Sequence, residues 1–215
     1  MIWPFGNLRP FCADVIAIDC PWDFQLYSEA GAEKSASAQY ETMPLSEIMA
    51  LPVGHLARGD CLLLMWACEW MPLADRQAVM TTWGFTYKTT IIWRKTTRTG
   101  KVRMGPGYRS RTMHEPVHIG TIGNPHHKAF PSIFDGIARQ HSRKPEEFYR
   151  MVEKHSPKST RLDLFSRKTR PGWISWGKEA TKFDDDESES VKRKRGLPLM
   201  PQPEAMPLFE NHVVA

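Results

Sequence analysis

The sequence predicts an α/β fold, a mostly parallel sheet with helices on both faces, and three observations carry that prediction. Residues 14–18 (Asp-Val-Ile-Ala-Ile) form an apolar, β-branched run that stops at an acid and a proline, as a buried strand does when its carboxyl end opens into a tight loop. Residues 61–67 (Cys-Leu-Leu-Leu-Met-Trp-Ala) form a second continuous apolar run, bounded by Gly59-Asp60. Helical and strand-like segments then alternate, which places successive strands side by side with crossover helices on the faces.

Taken in order, residues 1–13 hold Trp3, Pro4, Gly6-Asn7 and Pro10, an irregular lead-in to the first strand. Residues 25–39 are rich in Ser, Ala and Gly and read as a mobile loop beside the site. Pro44 and an early Glu47 open a short helix over 44–51, and 71–83 is helical up to Gly84. A third strand covers 87–93, and Ile119-Gly120-Thr121-Ile122 looks like another. Residues 124–140 read as a Pro/His-rich connection containing His126-His127-Lys128. Pro145 starts a helix with Glu146 and Glu147 in its first turn and Phe148, Met151 and Val152 on one face. It leads into a buried strand over 161–165.

Composition bounds the rest. A chain of 215 residues, 41% apolar and 25% charged, fits one domain with a sizeable core plus some tail. No apolar run approaches the roughly 20 residues of a membrane span, and Met1-Ile2-Trp3-Pro4 does not begin a signal peptide. Cys12, Cys20, Cys61 and Cys68 are scattered, as buried free thiols of a reducing compartment are. From Thr181 blocks of like charge precede a Pro-spaced segment, so residues 181–215 read as a disordered tail after a domain of 1–180.

Charge distribution says more than the net +5. Residues 94–111 hold Arg94, Lys95, Arg98, Lys101, Arg103, Arg109 and Arg111 with no acid, plus Tyr108 and several glycines. A flexible, electropositive loop of this kind neutralises phosphates, and its tyrosine can stack on a base. His114-Glu115-Pro116-Val117-His118 matches a zinc-peptidase pattern by letters, but that chemistry needs both histidines on one helical face and Pro116 disrupts the turn, so no metal is expected.

Asp19-Cys20-Pro21-Trp22 sits at the end of the first strand, where α/β sheets bind ligands. To methylate an exocyclic amine on a base, a site must hold the amino group, accept its hydrogens and clamp the ring. Asp19 offers a charged acceptor and the Cys20 carbonyl a second, Pro21 fixes the turn, and Trp22 offers a stacking face worth roughly 1–3 kcal/mol. No strong base is required, because the nitrogen can lose its proton after attack.

These four residues resemble the Asp/Asn-Pro-Pro-aromatic signature of S-adenosylmethionine-dependent amino-methyltransferases, with Cys20 departing at the second position. Further pieces follow in order: Tyr40-Glu41-Thr42-Met43, Gly84-Phe85, Gly107-Tyr108, His114-Glu115, His141-Ser142-Arg143-Lys144-Pro145, Leu162-Asp163-Leu164-Phe165-Ser166-Arg167, Gly172-Trp173 and Trp176-Gly177-Lys178-Glu179. From about Phe5 to Glu179 the chain resembles the N6-adenine methyltransferases typified by the catalytic subunit of the mRNA adenosine methyltransferase (the MT-A70 family), in their compact prokaryotic and phage form.

The resemblance implies a Rossmann-like S-adenosylmethionine-dependent methyltransferase sheet and S-adenosyl-L-methionine as cofactor. It assigns Asp19, Cys20, Pro21 and Trp22 to catalysis and Asn7, Leu8, Asp19, Asp163, Arg167, Arg170, Lys178 and Glu179 to the cofactor, the last two at the start of a final helix. Lys178 stands where an amide would bond the ribose hydroxyls. The expected reaction is methylation of adenine N6 in DNA, with RNA as the alternative polymer and a catalytically silent nucleic-acid-binding subunit as the alternative role. Methylation of a protein glutamine is disfavoured, since that chemistry pairs Asn-Pro-Pro-Tyr with an earlier glycine-rich motif. A homodimer or a partner subunit is left open, because so small a domain has little room for sequence readout. The expected location is cytoplasmic in a bacterial or phage-infected cell, nuclear if the source is eukaryotic, with no membrane association.

Overall fold

The computed structural model describes residues 3–23, 42–69, 71–105, 107, 109–139 and 143–185. Among them seven strands form one sheet: β1 (Ala13–Ile18), β2 (Ala57–Trp66), β3 (Thr86–Thr96), β4 (His114–Ile122), β5 (Ile133–Ile137), β6 (Arg161–Leu164) and β7 (Trp173–Trp176). Three helices accompany it: α1 (Leu45–Ala50), α2 (Leu73–Thr82) and α3 (Glu146–His155). The strand order is β5-β3-β4-β2-β1-β6-β7. β4 alone runs against its neighbours, antiparallel to both β2 and β3. The other pairs are parallel, so six strands share one direction, as the alternating pattern predicts.

β1 shows why the sheet is covered twice. Ile16 and Ile18 face a layer that contains Ile48 of α1 and Val79 and Met80 of α2, while Val15 and Ala17 face Phe148, Tyr149 and Val152 of α3. Two buried faces require apolar residues at every position, hence the continuous runs in β1 and β2. Each large aliphatic or aromatic side chain so buried contributes about 1.5–3 kcal/mol. None of the helices begins with a side-chain cap; Pro44, Pro72 and Pro145 start them instead, with φ already near the helical value.

The structure extends or corrects several expectations. β2 starts at Ala57, upstream of the apolar run, and β3 continues through Arg94 and Lys95 to Thr96, so the first two residues of the predicted basic loop lie in a ladder shared with β4 and β5. Residues 97–113 are therefore a hairpin connection between antiparallel neighbours. The predicted connection 124–140 contains β5, whose Ile-Phe-Asp-Gly-Ile sequence hides a strand behind an acid and a glycine. β7 is a short edge strand that composition does not reveal. After it, residues 177–183 form turns in place of the expected helix. Ordered packing also passes Thr181: Asp184 accepts hydrogen bonds from Thr169 N and Oγ1, both at 2.8 Å. The loop expected over 25–39 and the segment from 186 onward lie outside the described residues, as do Tyr40, Glu41, Pro106, Tyr108, His141 and Ser142.

Among the described residues no helix is long and apolar enough to cross a membrane. The four cysteines are free, Cys20 and Cys61 buried and Cys12 and Cys68 partly so. Burial pushes the thiols of Cys61 and Cys68 up to about 12 and that of Cys20 well above its ordinary value, so all three stay protonated and unreactive.

Candidate active site

Asp19 follows β1 directly, its N–H donating to the Leu164 carbonyl of β6 at 3.4 Å. The next residues form a tight turn. Trp22 N donates to the Cys20 carbonyl (2.9 Å), Met43 N donates to the Pro21 carbonyl (2.8 Å), and Trp22 and Met43 form a short parallel bridge. The turn is thus pinned although Cys20 lacks a locked φ. The Cys20 carbonyl keeps one lone pair beyond the one Trp22 uses. Trp22 corrects an expectation: it is 4% exposed and packed in the α1/α2 layer, because the bridge to Met43 draws it inward. Stacking a base on it requires the ring to be uncovered.

Asp19 stands at one end of a row of alternating charges. Lys144 Nζ lies 3.1 Å from Asp19 Oδ1 and 3.0 Å from Glu115 Oε2, and Lys95 Nζ lies 2.7 Å from Glu115 Oε1. Lys144 also sits 4.9 Å from the Trp66 ring centre and Lys95 5.4 Å from that of Trp93. Burial raises the Asp19 carboxyl above its ordinary value, with Lys144 opposing. Burial likewise acts to raise Glu115, but Lys144 and Lys95 outweigh it and the net shift is downward. Lys144, despite burial, is held protonated by its two acids. A charge row with its partners in place is tolerable in a low dielectric; one with a member missing is not.

Next to Asp19 opens a small cleft, lined by Tyr149 of α3, Asp163 of β6 and residues 165–168 and 170 that follow β6. Asp163 of β6 forms its charged floor. Arg170 Nη1 donates to Asp163 Oδ2 at 3.3 Å, and the Arg170 guanidinium lies 3.4 Å from the Tyr149 ring centre. Glu146 in the first turn of α3 holds Arg170 by two bonds, from Nε at 3.0 Å and Nη2 at 3.2 Å, and also pairs with Arg139 (3.1 Å) and Lys168 (3.5 Å). Burial pushes Asp163 up to about 6, opposed by Arg170. Glu146 is brought down to about 2, its burial outweighed by Arg170 and its other cations. Phe165, the residue after β6, takes φ +58°, a left-handed backbone that costs a bulky residue on the order of 1–3 kcal/mol and marks the cleft as a place where strain is held.

Arg167 pairs with Glu179 at 2.9 Å, and Phe183 packs under the guanidinium groups of Arg143 (4.8 Å) and Arg167 (5.1 Å). Gly177 is forced by close approach: a Cβ there would lie 3.0 Å from Phe165 Cα and from Ser166 backbone atoms. Of the residues the sequence proposes, Asp19, Asp163, Arg167 and Arg170 meet in the cleft, and Glu179 reaches it through Arg167. Lys178 is exposed beside it. Asn7 and Leu8 are not among its lining; Leu8 is buried in the α1/α2 layer and Asn7 faces outward.

The basic residues divide. Arg94 is tied to Asp135 by two bonds of 2.6 Å, Lys95 belongs to the charge row, Arg103 donates to the Ala138 carbonyl at 2.9 Å, and Arg111 donates to the Gly105 carbonyl at 3.1 Å. Arg98, Lys101 and Arg109 are exposed on the hairpin. His114 and His118 lie in strand β4, where four residues span about 14 Å, too far to share a metal ion. Each has its own partner, Glu69 Oε1 at 3.0 Å for His114 and Thr90 Oγ1 at 2.7 Å for His118. Burial pushes His118 down to about 4, so it is neutral at pH 7.

Sequence reasoning named no role for Lys144, Glu115, Tyr149, Phe165, Glu146 or Phe183. Two of them carried a faint signal: Glu115 is an acid inside an apolar strand, and Lys144 immediately precedes a helix-starting proline, where the backbone is extended and points toward the strand ends. As a donor set, the cleft offers carboxylates, cations and aromatic faces together. That combination suits a zwitterionic small molecule bearing a planar ring, and Asp19 at its lip suits an amine.

A profile of the MT-A70 family matches residues 13–179. The chain is 30% identical over 185 residues to the Type II methyltransferase M.MunI of Mycoplasma sp, covering 77% of this chain and 76% of that protein. It is 30% identical over 189 residues to a probable N(6)-adenosine-methyltransferase MT-A70-like of Oryza sativa subsp. japonica, and 24% identical over 188 residues to the human N(6)-adenine-specific methyltransferase METTL4. The matches cover 25% and 38% of those two longer proteins.

Proposed function

The chain belongs to the MT-A70 family of N6-adenine methyltransferases, and on that premise we propose that it transfers a methyl group from S-adenosyl-L-methionine to the N6 amine of adenine in DNA. The observation that carries this reading is the position of Asp19, held by Lys144 between the end of β1 and a cleft that combines buried carboxylates, cations and aromatic rings.

The cleft residues fit the cofactor. Asp163 and Asp19 suit an ammonium and a sulfonium, Lys144, Arg167 and Arg170 suit a carboxylate, and Phe165 and Phe183 offer faces for an adenine. When bound, S-adenosylmethionine supplies an electrophilic methyl group. Asp19 accepts a hydrogen bond from the N6 amine, which turns the nitrogen lone pair away from the carboxylate, and the second lone pair of the Cys20 carbonyl can take the other hydrogen. Lys144 fixes the Asp19 carboxylate in place. Burial makes Asp19 more basic than a free carboxylate, which favours it as first acceptor of the proton that N6 sheds after attack.

A nucleic-acid substrate is supported by the exposed cations Arg98, Lys101 and Arg109 on the hairpin between β3 and β4, and DNA as the polymer by the similarity to M.MunI, a relative of similar span. A silent nucleic-acid-binding subunit is the second reading. Its support is that Glu179 is already engaged by Arg167 and Lys182 and that Lys178 replaces the expected amide. The test is a transfer assay with labelled S-adenosylmethionine and single- and double-stranded DNA and RNA, followed by nucleoside analysis. N6-methyladenine from DNA supports the proposal, from RNA alone it moves the polymer, and no transfer without cofactor binding favours the silent subunit.

A further inference from the structure

The segment from Arg76 to His114 contains no acidic residue, yet the hairpin within it exposes three apolar side chains: Val102 (46%), Met104 (53%) and Met113 (40%). Single exposed apolar residues are ordinary; here they alternate with cations. Residues 101–104 read Lys-Val-Arg-Met, and Val102 forms an antiparallel bridge to Thr96 that is flanked by the bonds Thr97 N to Lys101 O and Arg103 N to Lys95 O; the strand-like alternation that this pairing imposes sets Arg103 on the side opposite Val102 and Met104. Arg103 uses its face to grip the Ala138 carbonyl. The strand is also held by Thr97 N to Lys101 O and Arg103 N to Lys95 O (both 2.8 Å) and by Gly105 N to Thr112 O (2.7 Å). The two apolar side chains are therefore presented by a braced backbone.

A surface of apolar side chains among fixed cations matches a partner that is anionic outside and apolar inside, which describes stacked bases between phosphates. β3, which carries the hairpin, lies three strand spacings from β1, about 14 Å, so one duplex lying across the strand ends meets both the hairpin and Asp19. Removing an adenine from a duplex leaves a gap and costs a few kcal/mol of unstacking.

We propose that Val102 and Met104 form a wedge that enters the base stack of duplex DNA beside the target adenine and holds the duplex open while that base is extruded toward Asp19. The inference rests on the DNA reading above and adds that the substrate is engaged as a duplex.

Val102→Ala/Met104→Ala is compared with wild type on unmethylated genomic DNA, native and heat-denatured, with nucleoside analysis of N6-methyladenine. The expected result is a loss of about tenfold or more on native DNA and less than about twofold on denatured DNA, a difference of the size that lost unstacking support produces. A second readout needs no turnover. Nicked plasmid circles are ligated in the presence of protein at saturation, and the wild type lowers the linking number whereas the double variant does not. Equal loss on both DNA forms, no loss on either, or no change of linking number by wild type overturns the wedge. Unwinding by wild type and not by the variant, with transfer absent from both DNA forms, retains the wedge and overturns the methyltransferase reading instead.

Discussion

Lys144 Nζ is shared by two carboxylates, 3.1 Å from Asp19 and 3.0 Å from Glu115, and so couples the end of β1 to the start of β4. Its removal leaves two half-buried acids facing each other. Lys144→Met should lower stability by about 3–5 kcal/mol and abolish transfer. Adding Glu115→Gln should recover part of the stability without the activity, read by thermal melts alongside the transfer assay. Recovery of both would mean that Lys144 only balances charge.

Asp19→Asn keeps the side-chain shape but loses the anionic acceptor. Transfer should fall by about 10²–10⁴-fold while the melting temperature stays close to wild type. A rate within threefold of wild type would remove Asp19 from the reaction.

Asp163 sits near pKa 6 against an ordinary value of 3.8. Because the folded-state value is raised, the ionised form is a burden on the fold that grows as pH rises from about 4 to 6. Asp163→Asn should therefore leave the ligand-free protein as stable as wild type, or more so, at pH 7.5, yet bind S-adenosylmethionine at least tenfold more weakly by calorimetry. Wild-type affinity should decline as pH drops through about 6. Unaltered binding in the variant would take Asp163 out of the cofactor site.

Glu146 lies near pKa 2 against 4.5. A lowered carboxylate contributes stability above its unfolded value that is lost as pH falls from about 4.5 to 2, here up to about 3 kcal/mol. Glu146→Gln should flatten that acid limb in pH-dependent melts and, by releasing Arg170 from its two bonds, weaken cofactor binding. Glu146→Asp should restore part of both.

Arg98 and Lys101 are exposed on the hairpin between β3 and β4. Arg98→Ala/Lys101→Ala should reduce the slope of log affinity against log salt for DNA by about 2 and leave the melting temperature unchanged. An unchanged slope would show that phosphates are met elsewhere.

What the sequence by itself determined follows from local rules. Continuous apolar runs mark β1 and β2 because strands buried on both faces tolerate nothing else; prolines at 44 and 145 mark helix starts because their φ is preset; and the ordered motifs from Asp19-Cys20-Pro21-Trp22 to Gly177-Lys178-Glu179 carry the resemblance to the family whose profile matches residues 13–179. The tertiary structure alone decided what depends on partners far away in the chain. The reversal of β4 turns a basic loop into a braced hairpin. Burial against Met43 draws Trp22 inward, and the ladders to β4 and β5 take Arg94 and Lys95 out of the loop. Glu115, Lys144 and Glu146 gain their roles only when β4 and the start of α3 meet the ends of β1 and β6, since a charge acquires its pKa and its function from neighbours that sequence spacing does not reveal.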